Sequence, residues 1–217
     1  SWFAHIPGLK VVMPSNAFDA KGLLISSVED NNPVIFIEHR WLHNTIDFVP
    51  TDGYRVPIGK ANITREGSDV TIVTHSYMLL ESIKCAEVLS TQGISVEVLD
   101  LRTIRPLDTE TILLSVSKTL RVVVADNGWA QFGVSAEIIS MVTENIFDKL
   151  LSAPARIGIN DSPSPSTRAL AKNFYPRADL IAKKICEMMD EDLDIDILFP
   201  KSDMPLDIPD PSFTGPF

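Results

Sequence analysis

The sequence predicts an α/β protein: a mostly parallel open sheet with helices on both faces, preceded by the closing part of a second parallel sheet. Three observations carry this. From Asp69 onward, short Val/Ile/Leu runs alternate with segments of helical spacing, the rhythm of βαβ units. A separate strand–helix–strand pattern occupies the first forty residues, and a stretch of little periodicity, 38–67, divides the two. The chain of 217 residues is 45% hydrophobic and 22% charged, which places it outside the disordered regime and supplies a core.

The elements follow in order. Gly8 to Met13 form an apolar run with β-branched residues that stops at Pro14, and Ser15 and Asn16 stand where a helix cap belongs. Ala17 to Glu29 bring Leu23, Leu24, Ser27 and Val28 to one side at helical spacing, and Asp30-Asn31-Asn32-Pro33 stops the helix. Val34 to Ile37 are a wholly apolar strand. In the second unit, Val70 to Val73, Ser95 to Leu99, Val122 to Ala125 and Ala155 to Ile159 read as strands. Met78 to Leu89, the stretch from Pro106 to Ser117, Val134 to Thr143 and Asp179 to Met189 read as helices. A Pro/Ser loop covers Asp161 to Ser166, and residues 190–217 form an acidic, Pro-punctuated tail without helical or strand rhythm.

The formal charge is −10, from 19 Lys+Arg and 29 Asp+Glu. Residues 186–217 hold nine acidic residues against the single Lys201, so the tail carries most of that charge and the rest is nearly neutral. With no basic run, a nucleic-acid partner is not expected, because neutralising a phosphate backbone takes clustered Lys and Arg. The tail ends in Phe213 and Phe217, and reads either as a solubilising end or as a strap that lays aromatics on a partner subunit. Cys85 and Cys186 form no CxxC or Cys/His cluster, so neither a disulfide framework nor zinc is indicated, and two free thiols fit a reducing compartment. No apolar run approaches bilayer length. The start at Ser1, without Met or a signal pattern, reads as a piece of a longer polypeptide.

Neither GxGxxG nor GxxxxGK[ST] occurs. Asn127 to Gly133 lie between a strand and a helix, as an anion cradle or a plain turn. His75-Ser76 follows a strand, where Ser76 is expected to cap the next helix rather than act as a nucleophile beside its base. His5, His39 and His43 lack the spacing of a ligand set, and packing or interface contacts are expected of them. Asp30 to Pro33 offer side-chain oxygens and freed helix-end carbonyls to a cation, or only a stop signal. Asp100 to Asp108 place Arg102 and Arg105 at the carboxyl end of a strand, where open α/β sheets meet ligands, or in a salt-bridged loop.

These residues also carry a resemblance. Trp2 to Pro14, Asp19 to Leu24, Asn32 to His39, Asp100 to Asp108, Gly128-Trp129 with Gly133 and Ala136 to Ile138, and Asp161-x-Pro-x-Pro165 are similar to the β subunit of thiamine diphosphate-dependent 2-oxo acid dehydrogenases of the pyruvate and branched-chain type. The ordered set covers nearly all of residues 1–185. The chain departs from the pattern at Asp126-Asn127, where a pair of Glu is usual, and at Gly158-Ile159, where Thr-Gly is more typical.

The resemblance implies that residues 1–40 close a pyrimidine-binding domain, 41–67 link, 68–190 form a transketolase C-terminal-like domain and 191–217 are the tail. It implies oxidative decarboxylation of a 2-oxo acid with acyl transfer to a lipoyl group. Thiamine diphosphate and magnesium then belong to a full α2β2 assembly with an α subunit, a second β subunit and a lipoyl acyltransferase core. No catalytic or cofactor-binding residue carries over, because the family's glutamate, histidine and Gly-Asp-Gly motif match nothing here. This chain alone is therefore expected to be inactive, supplying subunit assembly and core docking. A structural potassium ion is implied at Ser27, Val28, Asp30 and Asn32. The implied location is cytoplasmic, or the mitochondrial matrix in a eukaryote. Two alternatives stay open: the C-terminal part of a single-chain transketolase or 1-deoxyxylulose-5-phosphate synthase, and a pure interaction module.

Overall fold

The computed structural model describes residues 1–171, 174–200, 207–209 and 213. Two sheets organise them. In the first, strand β1 (Lys10–Val12) pairs in parallel with β2 (Val34–Phe36), and helix α1 (Ala17–Glu29) makes the crossover. Asn16 caps α1, its side-chain oxygen accepting from Asp19 N–H at 2.8 Å. Asp30 then leaves the helical conformation and Pro33 holds the chain extended into β2.

The second sheet has five strands in the order β3-β5-β4-β7-β8. They are β3 (Asn62–Arg65), β4 (Val70–Thr74), β5 (Val96–Asp100), β7 (Val122–Trp129) and β8 (Ala155–Ile159). All pairings are parallel except that of the edge strand β3 with β5. Helices α2 (Met78–Ser90) and α5 (Ala178–Met189) cover one face, where Leu89, Ile181 and Ile185 meet Ile72 and Val98. Helices α3 (Thr109–Thr119) and α4 (Val134–Ile146) cover the other, where Ile112, Val116 and Ile138 meet Val73, Leu99 and Val124. Neighbouring residues of a strand face opposite sides, so a sheet covered twice needs unbroken apolar runs, and those runs are what the sequence displays.

Four features depart from the sequence reading. Strand β3 lies within the aperiodic stretch, as an antiparallel edge whose residues are only partly buried. A three-residue strand, β6 (Thr103–Arg105), leaves the second unit and joins the first sheet beside β1. Strand β7 continues past its apolar run to Trp129, which pairs with Ile159. The acidic tail contains a turn of helix, α6 (Ile195–Leu198), capped by the Asp194 side chain at 3.2 Å from Ile197 N, with Leu193, Ile195 and Phe199 packed on the core. Phe217 lies outside the described residues. Among the described residues, no helix is long and apolar enough to cross a membrane.

Candidate functional site

Strand β4 leads to β5 on one side, while β7 lies on its other side, so the carboxyl end of β4 borders the crevice where open α/β sheets gather functional groups. The register Thr74↔Ala125 places the next residues, His75 and Asp126, side by side. His75 Nε2 lies 3.4 Å from Asp126 Oδ1, and both side chains are buried. Asp126 Oδ1 also accepts Gly128 N–H at 2.8 Å. Burial opposes charge on His75, but the carboxylates of Asp126 and Asp100 outweigh it and raise its pKa. Burial likewise works against the Asp126 carboxylate, and His75 with the Gly128 amide overcomes it and lowers that pKa. Ser76, expected as a cap, is not one. It sits at φ 54° with its hydroxyl unpartnered, and α2 begins after Tyr77 without a side-chain cap, because the left-handed turn at Ser76 carries its hydroxyl away from the helix start.

Asp100 ends β5 fully buried, and burial pushes its pKa up to about 6 against the Arg102 amide that favours the carboxylate. Between about pH 4 and pH 6 the folded chain keeps a proton that the unfolded chain has released. Stability therefore falls as pH rises through that window and stays lowered above it. Asp100→Asn keeps an acceptor for the Arg102 N–H, 3.1 Å away, and removes the titration. We expect this variant to be more stable by roughly 2–3 kcal/mol at about pH 7 and near wild type at about pH 4, measured by urea unfolding. Equal stabilisation at both pH values would show that Asp100 is not the group responsible.

The segment Asp100 to Asp108 is a clasp between the two sheets. Arg102, at φ 57°, extends Nη2 to within 2.8 Å of Asp19 Oδ1, and its carbonyl accepts Met13 N–H at 2.9 Å. Arg105 Nη1 donates to the Ala4 carbonyl at 2.8 Å, and Gly59 N–H donates to Thr103 Oγ1 at 3.0 Å. Of the two readings left by the sequence, these bonds support the salt-bridged loop.

A cavity of about 370 Å³ opens above this junction, lined by Pro14, Ser15, Asn16, Ala17, His39 and His43 among others. His39 accepts Trp41 N–H on Nδ1 at 3.2 Å and stacks on Tyr77 with ring centroids 5.3 Å apart. Burial, with the nearby positive charges of His43, Arg177 and His75, pulls its pKa down to about 4, so the ring is neutral and carries its proton on Nε2. His43 Nε2 lies 3.8 Å from Glu38 Oε2. The structure therefore brings His39 and His43 to one cavity, while His5 is exposed and does not line it.

At the end of α1, Lys10 pairs with Asp30 Oδ2, while Asp30 Oδ1 accepts the Asn32 amide at 2.8 Å and its side-chain NH2 at 3.1 Å. The Lys10 bond, followed by the Asn32 donors, lowers the Asp30 pKa to about 2. Ser27 donates its hydroxyl to Leu23 O at 2.7 Å. Free for a cation are the last-turn carbonyls of Ser27 and Val28, which lack intrahelical donors. Among the described residues, no group of three His, Cys, Asp or Glu side chains is arranged to hold a metal ion. A second concavity, of about 680 Å³, lies between α5 and the start of the tail, with Asp179, Glu187, Asp190, Asp192 and Asp194 in its walls. Both thiols are buried, and burial raises the pKa of each.

The sequence pointed to His39, His43, Arg102 and the Asp30 turn one by one. It missed Asp19 and Asp100, and it missed the pairing of His75 with Asp126, which only the strand register brings together.

Residues 59–181 match the family described as transketolase, C-terminal domain, and residues 1–45 match transketolase, pyrimidine binding domain. Similar proteins include pyruvate dehydrogenase E1 component subunit beta of Staphylococcus aureus (strain Mu50), 45% identical over 181 residues that make up 83% of this chain and 56% of the relative. The mitochondrial subunit beta of Mus musculus is 43% identical over 182 residues, 82% of this chain and 51% of the relative. The chain thus spans about half the length of the curated relatives it matches. Among solved structures, a split-gene transketolase described as an inactive beta4 tetramer superposes with TM-score 0.74 at 23% identity, over 87% of this chain and 60% of that one. A Pichia stipitis transketolase gives TM-score 0.57 at 15% identity, over 87% and 26%. The structural likenesses show the fold, and the matched domains establish that the chain belongs to the transketolase family, with a pyrimidine-binding domain match over residues 1–45 followed by a C-terminal domain match over residues 59–181.

Proposed function

We propose that this chain is the β-subunit portion of a thiamine diphosphate-dependent 2-oxo acid dehydrogenase and serves its assembly. The observation that carries the reading is the 43–45% identity to pyruvate dehydrogenase E1 beta subunits over four-fifths of the chain. The residues present do not make a thiamine diphosphate site by themselves: the sequence has no Gly-Asp-Gly triplet. The cofactor, with magnesium, would be held by the assembled enzyme, where it acts as the electron sink for loss of carbon dioxide. What this chain's own residues do is hold the end of the pyrimidine-binding unit on the C-terminal unit, through Arg102–Asp19 and the β1–β6 pairing.

The acidic concavity beside α5 is complementary to a basic surface, and we assign it to docking of the acyltransferase core. The test is co-expression with an α subunit and with an acyltransferase carrying a subunit-binding segment. Co-purification of both, thiamine-dependent decarboxylation in the complex and none by this chain alone are expected. Failure to retain either partner would overturn the assembly role.

A potassium ion at Ser27, Val28, Asp30 and Asn32 would have to be held mainly by the last-turn carbonyls of Ser27 and Val28, because Lys10 and the Asn32 amides already occupy both oxygens of the Asp30 carboxylate. A potassium ion there should raise the unfolding temperature in potassium chloride over sodium chloride at equal ionic strength. Equal midpoints would remove potassium from these residues.

A further inference from the structure

Five ionisable side chains meet where the ends of the second sheet's strands bear on helix α1. Asp19 belongs to α1, Asp100 ends β5, Arg102 follows it, His75 follows β4 and Asp126 lies in β7. The three carboxyl groups and His75 are buried, and Arg102 is partly so. Two ion pairs occupy four of the five: Arg102 Nη2 with Asp19 Oδ1 at 2.8 Å, and His75 Nε2 with Asp126 Oδ1 at 3.4 Å. Asp100 is left over. Its carboxyl group accepts the Arg102 N–H at 3.1 Å and the Ser15 hydroxyl, both neutral donors, and makes no ion pair among the described residues. With a proton on Asp100 the cluster is neutral; without it, three negative charges face two positive ones. A buried charge that lacks a cation is costly, so an ionised Asp100 must draw one from a neighbour. His75 is committed to Asp126 across the register of β4 and β7. Arg102 is closer to hand: its main chain already bonds Asp100, and its Nε–H has no hydrogen-bond partner.

We propose that Asp100 is a proton-operated latch on the clasp between the two sheets: protonated, it leaves the Arg102 guanidinium to Asp19; ionised, it draws the guanidinium away and loosens α1. The proton passes to water, and only hydrogen bonds are exchanged. This rests on the assembly reading, in which the clasp joins the two units, and adds the condition that controls it. The charged groups that face Asp100 are Asp19 from α1, Arg102 from its own segment, and His75 from β4 with Asp126 of β7 behind it. The amino terminus and His39 also act on His75. Asp126 holds the His75 pKa above its ordinary value and His75 holds that of Asp126 below, so this pair keeps its charges while Asp100, whose pKa burial pushes up to about 6, changes its own. The latch is therefore closed on the acid side of that value and open on the neutral side.

The experiment is nuclear magnetic resonance with amide hydrogen exchange on the full 217-residue chain, labelled with carbon-13 in its aspartate carboxyls and nitrogen-15 in its amides and guanidinium groups. Between about pH 5 and about pH 7.5, the amides of α1 should lose at least about tenfold more protection than those of α3, after correction for the intrinsic exchange rate. The Asp100 carboxyl, the Asp19 carboxyl and the Arg102 guanidinium should shift with one common midpoint. Asp100→Asn should keep α1 at its acid-side protection at both pH values. Asp19→Asn should hold α1 at the lower level at both, and Arg102→Gln replaces it where it unfolds. Equal losses in α1 and α3, a loss that persists in Asp100→Asn, or an Asp100 titration that leaves Asp19 and Arg102 unmoved would overturn the latch. Co-purification with an α subunit is scored separately, so the latch can fail while the assembly reading stands.

Discussion

Replacing Gly67 by alanine is expected to cost at least about 3 kcal/mol of stability, a fall of roughly 6–12 °C in Tm. Gly67 lies in the turn that joins β3 to β4, pressed against the start of β5. A β-carbon there would stand 2.1 Å from Glu97 N, 2.2 Å from Val96 C and 2.7 Å from Val96 O. All three are main-chain atoms of β5, and this strand is held between β3 and β4, so no side chain can rotate away to make room. The strand or the turn must move. Movement would also pull the Gly67 amide from Glu97 Oε2, 3.3 Å away, beneath a fully buried carboxylate that depends on Ser115 and Lys118 as well. Gly93 supplies the control. It has φ +83° but open space around its missing β-carbon, so Gly93→Ala carries only backbone strain of about 1–2 kcal/mol. Urea unfolding of both variants decides the matter: a Gly67→Ala loss no greater than that of Gly93→Ala would show that β5 yields to the new methyl group.

That contact illustrates what the sequence discloses and what it withholds. The helices and the central strands were legible because burial on both faces imposes a pattern that depends on few partners: Val70 to Val73 and Val122 to Ala125 read as strands wherever they pair. Strands β3 and β6 were not legible, since Asn62–Arg65 and Thr103–Arg105 carry no apolar run and become strands only because β5 and β1 offer them an edge. The same holds for the site. His39, Arg102 and Asp30 stand out as residue types near turn signals, but Asp19 and Arg102 meet only when α1 is laid against the end of β5. His75 and Asp126 meet only through the parallel register of β4 and β7. Ser76 was misread for the opposite reason: serine before a helix is a cap by local habit, and the left-handed backbone at this position is set by tertiary packing.

Arg177→Met is expected to destabilise the chain by about 3–5 kcal/mol, because it leaves the Glu81 carboxylate buried and without its cation. Arg177 stands just before α5 and bonds through Nη1 to Glu81 Oε1 at 2.9 Å, while the other Glu81 oxygen accepts Ala178 N–H at 3.0 Å. Glu81 is only 8% exposed, so water cannot replace the lost partner. Its guanidinium also lies 4.8 Å from the centre of the Trp41 ring and 5.6 Å from that of Tyr77, and Nη2 donates to the Ile208 carbonyl at 2.7 Å. One side chain thus ties α2, the start of α5, the segment that follows β2 and the acidic tail. Methionine keeps much of the volume and none of the charge, which separates electrostatics from packing. The double variant Glu81→Gln/Arg177→Met removes the stranded charge as well and should recover a large part of the loss, since the cost lies in the unpaired carboxylate rather than in the absent pair. A single-variant loss below about 1 kcal/mol, or a double variant no more stable than Arg177→Met, would mean that solvent reaches Glu81. The tail gives an independent readout. Without the Ile208 bond, and with the Trp41 ring uncovered, proteolysis within residues 191–217 should quicken in Arg177→Met even under conditions where the core stays folded, because a bond that ties Ile208 to the start of α5 is lost.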